Sequence, residues 1–434
     1  MRNAGRQRAI VIGAGIVGVC SAIELLRRGW HVTLVDRLAP GEGCSFGNAG
    51  ILAAQAVVPT ALPGIERQAA GMLFDREGPL VVRWGSLPWT ARWLWKFRQA
   101  ANMTKVNASA DAMKALNGTS FELHEALARQ AGVPDLIRPT RYLYIARDPK
   151  NLDVENGLAW KLRRERGSEI EVLDGEALYE AEPELSREYK RGVLLGPIGY
   201  TLNPFRLTQS YAALFQKEGG QVVRAEVRAL RPAGAVTGLE TSAGQMAAET
   251  VVLAAGSWSM ELARPLGLKL PLIAERGYHV TFADPGITLN HVISEAERYF
   301  AVTSMEMGLR VAGTEELGVA DDPPAWRRAE VLERQARVMF PNAKLKDGTR
   351  WMGPRPGTPD SLPAIGPLPG FPNILIAAGH SHLGLTGGPN TGRIVAAIAS
   401  GERLNLDLQP FAPDRFDPAP RTTTSVAMMP GRSN

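Results

Sequence analysis

The stretch that decides the fold runs from Ala9 to Asp36 and reads AIVIGAGIVGVCSAIELLRRGWHVTLVD. Residues 9–13 form a short β-branched run ended by glycine, which is typical of a buried parallel strand. Residues 16–28 have the pattern of a helix that stops at Gly29, and residues 31–35 predict a second strand. One βαβ unit within about 30 residues predicts a parallel sheet covered by helices.

The turn between this strand and this helix carries the spacing Gly-X-Gly-X-X-Gly. Gly13 allows the tight turn, Gly15 lets the backbone approach a pyrophosphate, and Gly18 lets the helix pack closely on the strand. The positive end of the helix then stabilises the phosphate charge. Asp36 ends the second strand, where its carboxylate can accept hydrogen bonds from a ribose. Together these features predict a dinucleotide site, but they do not separate NAD from FAD.

Composition limits the class of protein. The 434 residues are 45% hydrophobic and 21% charged, which is enough chain for two hydrophobic cores. The net charge is only +5, and basic residues are scattered among acidic ones, so we expect no nucleic-acid partner. The cysteine count is two, Cys20 and Cys44, which favours a reducing compartment over a disulfide scaffold.

Further along the chain, the pattern predicts both parallel and antiparallel strands. A second βαβ-like stretch is predicted, with a helix over 204–217 and a strand over 221–224, and further strands are predicted over 250–255 and 373–378. Runs at 278–283 and 299–313 alternate as antiparallel strands do. We expect the glycine-rich residues 379–388 to form a loop before a helix over 390–400.

Three blocks carry a resemblance to a known family. They read GCSFGNAG at 43–50, WMGPRP at 351–356 with TPD and LPAIG after it, and GHSHLGLT at 379–386. In this order they resemble the D-amino-acid oxidase and dehydrogenase superfamily, most closely the small subunit of bacterial D-amino acid dehydrogenases. The resemblance implies an α/β fold: a Rossmann-like FAD-binding domain and a second, α+β substrate domain built on an antiparallel sheet.

The same resemblance suggests where the domains divide. We expect the FAD-binding domain to be assembled from residues 1–55, 150–270 and 340–410. Residues 56–149 and 271–339 would then form the substrate domain. The tail over 414–434 is rich in Pro, Thr, Ser and Arg and is predicted to be disordered.

The expected FAD contacts combine the glycine turn with the positions that match the family's blocks. Flavin reduction places negative charge on the ring, so donors and the positive end of a helix are expected there. Ser45 and Asn48 can serve as such donors, or simply as a helix cap and a turn residue. The predicted contacts are Gly13, Gly15, Ile16, Val17, Gly18, Asp36, Arg37, Cys44, Ser45, Asn48, Gly50, Leu52, Val227, Ala255, Gly256, Trp258, Gly353, Arg355, Gly379, His380, Gly384, Leu385 and Thr386.

We expect the FAD to be held without a covalent bond. Some members of the superfamily attach it through a histidine, and the matching position here is Gly47. Cys20 lies within the predicted first helix, and Cys44 matches a threonine, so both are interpreted as small buried thiols.

Oxidation of an amino acid requires an anchor for its carboxylate. The planar fork of an arginine meets a carboxylate bidentately, which makes arginine the expected residue. The candidates are Arg355 in the second flavin block, Arg310 in an alternating run, and Arg276 beside Tyr278. The resemblance favours Arg355, whereas Arg310 fits a solvent-facing strand residue equally well.

Other polar groups are candidates for the substrate pocket. Tyr278, in the family-like segment ERGYH, can donate a hydrogen bond to a carboxylate. His380 and His382 stand before Gly384, and His380 is the one we expect in the pocket. No acids or cysteines accompany them at ligand spacing, so no metal site is expected. No nucleophile elbow is present either, which argues against a hydrolase.

These features favour the FAD-dependent oxidative deamination of a D-amino acid. An imino acid would form and hydrolyse to a 2-oxo acid and ammonia, and the runs ERGYH and GHSHLGLTGGP suggest D-proline or cis-4-hydroxy-D-proline. One alternative is a sarcosine- or glycine-type oxidase. Another is the flavin subunit of a hetero-oligomeric electron-transfer dehydrogenase. An RNA-modifying flavoprotein is disfavoured because no basic stripe is present.

The cellular location and the electron acceptor are less constrained. No stretch reaches the roughly 18 uncharged apolar residues that a membrane span needs, so a cytoplasmic protein is expected. Trp84, Trp89, Trp93 and Trp95 lie among basic residues, which suits either contact with the inner membrane surface or a helix that packs on its own domain. Quinone, oxygen and a partner flavoprotein all stay open as acceptors.

Overall fold

The computed structural model describes residues 7–75 and 77–417. Its α-helices in that part of the chain are α1 Ile16–Arg27, α2 Ile65–Phe74, α3 Leu87–Ala100, α4 Met103–Asn117, α5 Ser120–Gln130, α6 Leu158–Glu165, α7 Glu176–Ala181, α8 Pro204–Lys217, α9 Ser259–Ala263, α10 Arg327–Met339 and α11 Gly384–Ala399. Its strands are β1 Arg8–Ile12, β2 His31–Asp36, β3 Ile51–Leu52, β4 Leu80–Val82, β5 Ile137–Ala146, β6 Glu169–Asp174, β7 Arg191–Thr201, β8 Gln221–Arg224, β9 Val227–Ala233, β10 Val236–Thr241, β11 Gly244–Ala248, β12 Thr250–Leu253, β13 Ile273–Phe282, β14 Val292–Glu295, β15 Phe300–Met305, β16 Gly308–Gly318, β17 Thr349–Gly357, β18 Ala364–Leu368 and β19 Phe371–Ala378.

A parallel sheet forms the centre of the first layer. Its order is β18-β19-β12-β1-β2-β8, and all neighbours run parallel except β18 and β19. In β1 the four residues after Arg8 are buried, because the strand is covered on both faces. The βαβ unit and the parallel sheet predicted from residues 9–36 are therefore confirmed.

Helices cover one face of this sheet and a small sheet covers the other. On the helical face, α11 crosses α1 so closely that a Cβ on Gly392 would lie 2.6 Å from the carbonyl oxygen of Cys20. The Cys20 thiol is buried in this core, and burial raises its pKa well above the ordinary value. On the opposite face, β9, β10 and β11 form a three-stranded antiparallel sheet. The Rossmann-like layer therefore has close helix packing beneath the dinucleotide turn.

The second layer is a larger sheet of mixed direction. Its main path runs β17-β13-β16-β15-β14-β5-β7-β3, and β4 and β6 pair with β16 and β7. Most pairs are antiparallel, but β5–β14 and β4–β16 are parallel. Tyr278, Val280 and Phe282 of β13 are fully buried against α10, which covers one face of the sheet. The predicted antiparallel second domain is thus present as an α+β layer.

Several parts of the chain differ from the predicted division into domains. Strand β3 falls within 1–55, β6 and β7 within 150–270 and β17 within 340–410, yet all four belong to the larger sheet. The sheet to which a strand belongs is decided by the strands that it is hydrogen-bonded to. No local sequence pattern encodes which strands those are. Helix α11 also begins at Gly384, so much of the predicted loop over 379–388 is helical.

The end of the described chain is fixed by an ion pair. Residues 414–417 belong to the tail that was predicted to be disordered, but they form a turn. Arg415 bonds both carboxylate oxygens of Asp360, at 2.8 and 2.9 Å. Residues 418–434 of that tail lie outside the described residues.

The tryptophan-rich segment contributes both a buried and an exposed ring. Trp93 of α3 is 5% exposed and stacks on Phe97, whereas Trp95 is 56% exposed with the Lys96 ammonium 5.0 Å from its ring centre. The side chains of Trp84 and Trp89 lie outside what the structure describes. Among the described residues, no helix combines the length and the apolar character that crossing a bilayer would take.

Candidate active site

A cleft with an empty volume of about 1490 Å³ opens where the parallel strands end. Its floor is formed by the residues that follow β1, β2, β12 and β19, which is the edge where open α/β sheets bind ligands. The larger sheet contributes residues from β17 to its rim. Of the predicted site residues, those lining the cleft are Gly13, Gly15, Ile16, Val17, Asp36, Arg37, Cys44, Ser45, Asn48, Val227, Ala255, Gly256, Trp258, Arg355, His380, Gly384 and Leu385.

The three glycines of the first turn have different surroundings. Gly13 has φ +110°, and a Cβ there would lie 2.3 Å from the carbonyl oxygen of Ala254. A Cβ on Gly18 would lie 1.8 Å from the carbonyl oxygen of Gly13, so both glycines are required by the fold itself. A Cβ on Gly15 would meet only the Ser45 hydroxyl, at 3.4 Å, and would otherwise point into open space. Gly15 is therefore the glycine whose missing side chain leaves room for a ligand.

The end of β2 forms the far corner of the cleft. Asp36 accepts hydrogen bonds from the backbone amides of Ala14, at 2.6 Å, and Leu38, at 2.9 Å. The next side chain, Arg37, places its guanidinium carbon 4.5 Å from the ring centre of Trp258. A carboxylate beside a stacked aromatic and cationic pair suits the ribose and the base of a nucleotide.

The segment 43–50 crosses the cleft between the two sheets. Ser45 accepts a hydrogen bond from the Ile16 amide at 2.9 Å, which fixes the segment to the start of α1. The Cys44 thiol donates to the carbonyl oxygen of Pro354, 2.8 Å away, and burial raises its pKa to about 12. The thiol is therefore held in its neutral, unreactive form.

The indole of Trp351 fills the space beside Gly47. A Cβ on Gly47 would lie 1.9 Å from that ring, so only glycine fits here. The indole stacks in turn on His279, with ring centres 5.1 Å apart and an angle of 16° between the planes. The space that a side chain at position 47 would need is thus already occupied.

Arg355 lies on the rim of the cleft with its charge available. It sits opposite Glu275 in the register of β13 and β17, and its guanidinium covers Gly277, whose Cβ would lie 2.2 Å from the guanidinium carbon. Arg355 forms no hydrogen bond or ion pair with any residue in the described ranges. A half-buried cation with its donors free is suited to an anionic ligand.

An acidic group lies behind this arginine. Glu275 is 7% exposed and accepts a hydrogen bond from the Ser381 hydroxyl. Burial, followed by the nearby charge of Glu315, raises the pKa of Glu275 well above its usual range. Burial and Glu315 therefore disfavour the charged form of this carboxyl, whereas Ser381 and the charge of Arg355 act in the opposite direction.

The turn after β19 closes the cleft opposite the glycine turn. His380 is 4% exposed, its Nε2 lies 2.9 Å from the Thr391 hydroxyl oxygen, and burial lowers its pKa to about 3. Ser381 has a left-handed backbone with φ 49°, which turns the chain into α11. His380, Ser381 and His382 all line the cleft.

The structure contradicts two predicted substrate contacts. The Tyr278 hydroxyl is buried on the far face of β13, 3.1 Å from the Glu316 carboxylate, and it accepts from the Ala325 amide. Arg310 is 3% exposed and donates to backbone carbonyls, so it is neither the predicted carboxylate anchor nor the alternative, a solvent-facing strand residue. Alternation along a strand does not reveal which face is covered, and both residues are turned away from the cleft.

The third arginine candidate is also structural. Arg276 is fully buried, forms an ion pair with Glu316, and donates to the carbonyl oxygens of Asp322 and Pro323 at 2.7 and 2.8 Å. A register shift between Arg276 and Tyr278 in the pairing with β16 sets their orientation. Of the three candidates, only Arg355 lines the cleft.

Six predicted cofactor contacts support the site from outside the cleft lining. Gly18 and Gly353 make room for neighbouring groups, and Gly50 and Gly379 have positive φ. Thr386 links α11 to the segment after 43–50 by donating to the Ile51 carbonyl oxygen, at 3.2 Å. The six are Gly18, Gly50, Leu52, Gly353, Gly379 and Thr386.

Sequence reasoning also missed some residues of the site. The sequence presents Trp351 only as part of the block WMGPRP, and its contact with Gly47 joins residues far apart in the chain. Gly47 was considered only as the position of a missing histidine. Ser381 and Glu275 were not singled out, because their hydrogen bond joins positions 106 residues apart.

A dinucleotide cleft shared by a Rossmann-like layer and a second mixed sheet defines the class of two-domain flavin-dependent oxidoreductases. The chain belongs to the FAD dependent oxidoreductase family known as DAO, which matches residues 8–398. The chain is 37% identical to a D-amino-acid oxidase of Bradyrhizobium diazoefficiens, covering 95% of this chain and 99% of that relative. It is 32% identical to a D-amino acid dehydrogenase of Sinorhizobium medicae, covering 94% of this chain and 100% of that relative.

The fold matches solved structures as well. The crystal structure of glycine oxidase from Geobacillus kaustophilus superposes with a TM-score of 0.71 at 21% identity, covering 94% of this chain and 98% of that one. This likeness concerns the fold. The predictions of the family, of the α/β fold and of an FAD-dependent enzyme are confirmed.

The residues of the cleft fit FAD. The open space at Gly15 and the positive end of α1 suit the pyrophosphate, and Asp36 suits the adenosine ribose. Segment 43–48, Trp351 and the start of α11 surround the remaining length of the cleft, where the flavin ring would lie. The start of α11 would place a partial positive charge beside the flavin ring, where it would stabilise negative charge.

Proposed function

We propose that this chain oxidises a D-amino acid at its α-carbon. Water then hydrolyses the imino acid product: the imine of a primary amine gives a 2-oxo acid and ammonia, whereas the cyclic imine from D-proline opens to an amino-2-oxo acid and keeps its nitrogen. The observation that carries the proposal is Arg355, a cation on the rim of the cleft with no ion-pair partner among the described residues. The guanidinium fork of Arg355 meets the substrate carboxylate with two parallel hydrogen bonds and fixes the direction of the α-carbon.

The other groups near Arg355 leave its charge effective. Burial lowers the pKa of His380 to about 3, and burial together with the charge of Glu315 raises the pKa of Glu275, which disfavours an ionised carboxylate beside the guanidinium. FAD, when bound, supplies the acceptor for the hydride. Holding the substrate against it in a fixed orientation is the main contribution of the protein, since no strong base is obligatory.

The D configuration is supported by the named relatives, a D-amino-acid oxidase and a D-amino acid dehydrogenase. Within this class we propose D-proline or cis-4-hydroxy-D-proline as the substrate. The support is the resemblance of the runs ERGYH and GHSHLGLTGGP to that branch of the superfamily.

The test is an anaerobic titration of the purified holoenzyme with a panel of amino acids while the flavin absorbance is followed. The panel contains D-proline, cis-4-hydroxy-D-proline, D-alanine, the matching L-isomers, glycine and sarcosine. Bleaching by D- but not L-isomers is expected. Bleaching by glycine and sarcosine alone would replace the proposal with the oxidase alternative, and no bleaching by any amine would overturn it.

The same sample can be used to identify the electron acceptor. Admitting oxygen to the bleached enzyme and measuring hydrogen peroxide identifies an oxidase, whereas reoxidation by a quinone alone identifies a dehydrogenase. Bleaching without either reoxidation would favour the flavin subunit of a larger electron-transfer complex. Cosedimentation with anionic vesicles tests peripheral membrane contact through the exposed Trp95.

A further inference from the structure

Four successive backbone carbonyls of the cleft segment are held by side chains of the larger sheet. Arg310 donates to the carbonyl oxygens of Phe46, at 3.1 Å, and Asn48, at 2.8 Å. Between them, the Gly47 carbonyl oxygen lies 3.1 Å from Nδ1 of His279. The Ala49 carbonyl oxygen accepts from the Thr303 hydroxyl at 2.9 Å. The donors come from three adjacent strands, β13, β15 and β16.

The protonation of His279 is fixed by this contact. Burial, and then the charge of Arg310, lower the pKa of His279 to about 3, so the ring is neutral at physiological pH. A carbonyl oxygen only accepts hydrogen bonds. The single proton of the neutral ring is therefore on Nδ1 and points at Gly47.

The charge of Arg310 has no carboxylate to balance it among the described residues. Its Nε donates to the Thr281 hydroxyl at 3.3 Å, and burial lowers its pKa to about 10, which leaves it cationic. A buried cation needs strong acceptors, and the two carbonyls of segment 46–49 provide them. Arg310 thus depends on this segment and the segment depends on Arg310.

The segment itself has little regular structure to hold its shape. Residues 40–47 form turns, and residues 48–50 belong to no helix or strand. Its inner surface faces the cleft through Cys44, Ser45, Gly47 and Asn48. Its outer side is the side bonded by the larger sheet.

We propose that Arg310, assisted by His279 and Thr303, is a positioning residue that holds segment 46–49 in the shape that binds FAD. Arg310 acts on the cofactor through the backbone and does not touch the substrate. The larger sheet, which carries Arg355 on β17, therefore also shapes the cofactor side of the cleft.

The experiment compares FAD affinity, measured on apoprotein, among Thr303→Val, Arg310→Lys and Arg310→Met. Thr303→Val removes one neutral hydrogen bond, and a Kd for FAD about 5-fold weaker is expected. Arg310→Lys keeps the charge but loses the planar guanidinium and its Nε bond to Thr281, and about 10-fold weaker binding is expected. Arg310→Met removes both charge-assisted bonds, and about 100-fold or weaker binding is expected.

The matched control is Arg355→Met, on the same face of the same sheet. It should raise KM while leaving the Kd for FAD within about 2-fold of the parent value. A second readout is the rise in Tm of the apoprotein on adding FAD, which reports affinity for the folded state separately from stability. This rise should shrink in the order Thr303→Val, Arg310→Lys, Arg310→Met.

Two results would overturn the proposal. One is an unchanged Kd for FAD in Thr303→Val and Arg310→Lys. The other is a fall in apoprotein Tm with an undiminished FAD-induced rise, which is the behaviour of a residue that only stabilises the fold. Because Thr303→Val is nearly isosteric, the test holds even where Arg310→Met fails to fold.

Discussion

Nε2 of His124 lies 2.8 Å from the carbonyl oxygen of Leu385. That carbonyl faces Pro389, four residues later in α11, and proline has no N–H to offer it. His124, from α5, takes the place of the missing intrahelical donor. Burial lowers the pKa of His124 to about 4, so the ring is neutral and its Nε2 carries the proton. This contact explains how a helix begins at Gly384 and passes through a proline.

Replacing His124 tests this relationship. His124→Phe should lower the free energy of unfolding by about 1–3 kcal/mol, because the buried Leu385 carbonyl loses its donor. In a Pro389→Ala background the loss should be smaller, since the alanine N–H restores the intrahelical bond. Urea unfolding of the four proteins measures the coupling. Equal losses in both backgrounds would show that the carbonyl is not the cause.

Substitutions in the glycine turn should separate effects on FAD binding from effects on the stability of the fold. Gly15→Ala should leave apoprotein stability nearly unchanged, because its Cβ meets only the Ser45 hydroxyl. Its Kd for FAD should rise by about 10-fold or more, since the pyrophosphate loses its close approach to the backbone.

The matched control for this turn is Gly13→Ala, whose Cβ would clash with Ala254. This variant should destabilise the apoprotein itself. Thermal melts with and without FAD provide both values. If Gly15→Ala binds FAD normally, Gly15 has no role in ligand binding.

Substitutions of Arg355 and Arg37 should affect different quantities: the KM for the substrate in Arg355 variants and the Kd for FAD in Arg37 variants. Arg355→Met is expected to raise the KM for a D-amino acid by about 100-fold, because two charge-assisted hydrogen bonds are lost. Arg37→Met, at the nucleotide end of the cleft beside Trp258, should weaken FAD binding and leave KM near the parent value. Steady-state kinetics with saturating FAD, together with flavin titration, separate the two. A loss of flavin in Arg355→Met would make it a cofactor ligand.

Stability should fall on acidification below about pH 6.5. His124, His279 and His380 have pKa values lowered to about 4, 3 and 3, so the folded state binds fewer protons than the unfolded state in this range. Each contributes stability that is present above its unfolded pKa and is lost as the pH falls towards its folded pKa, by up to about 1.4 kcal/mol per pH unit. Glu275 acts in the opposite sense, because its pKa is raised and the folded state keeps its proton.

The check is chemical unfolding of apoprotein between pH 7 and about pH 4.5. His124→Phe should reduce the slope of unfolding free energy against pH, since one of the histidines with a lowered pKa is gone. An unchanged slope would mean that His124 is already protonated in the folded protein.

Local patterns predicted the first layer well. The βαβ unit around Gly13 needs only neighbours in sequence, and α8 was predicted with the bounds that the structure gives it. The cleft edge followed from the same unit, since the ends of parallel strands meet there. Asp36 could therefore be predicted from this pattern, whereas Ser45 and Arg355 were predicted from the resemblance of their blocks to the family; all three line the cleft.

What could not be predicted depends on contacts between distant residues. The sequence predicts Tyr278 and Arg310 as substrate contacts, but the burial of a strand residue is decided by the element that covers it. Helix α10 covers the face with Tyr278, and segment 46–49 covers the face with Arg310. The start of α11 was missed because Pro389 argues against helix unless His124 is known to be near.

The strand order of the parallel sheet also sets when the cofactor can bind during synthesis. Strands β1 and β2 are made first, β12 follows much later, and β19 is added beside β12 near the end of the described chain. The turn around His380, which closes the cleft, follows β19. A growing polypeptide therefore gains its yellow colour only after translation has passed α11, and a ribosome stalled before residue 371 should carry a colourless product.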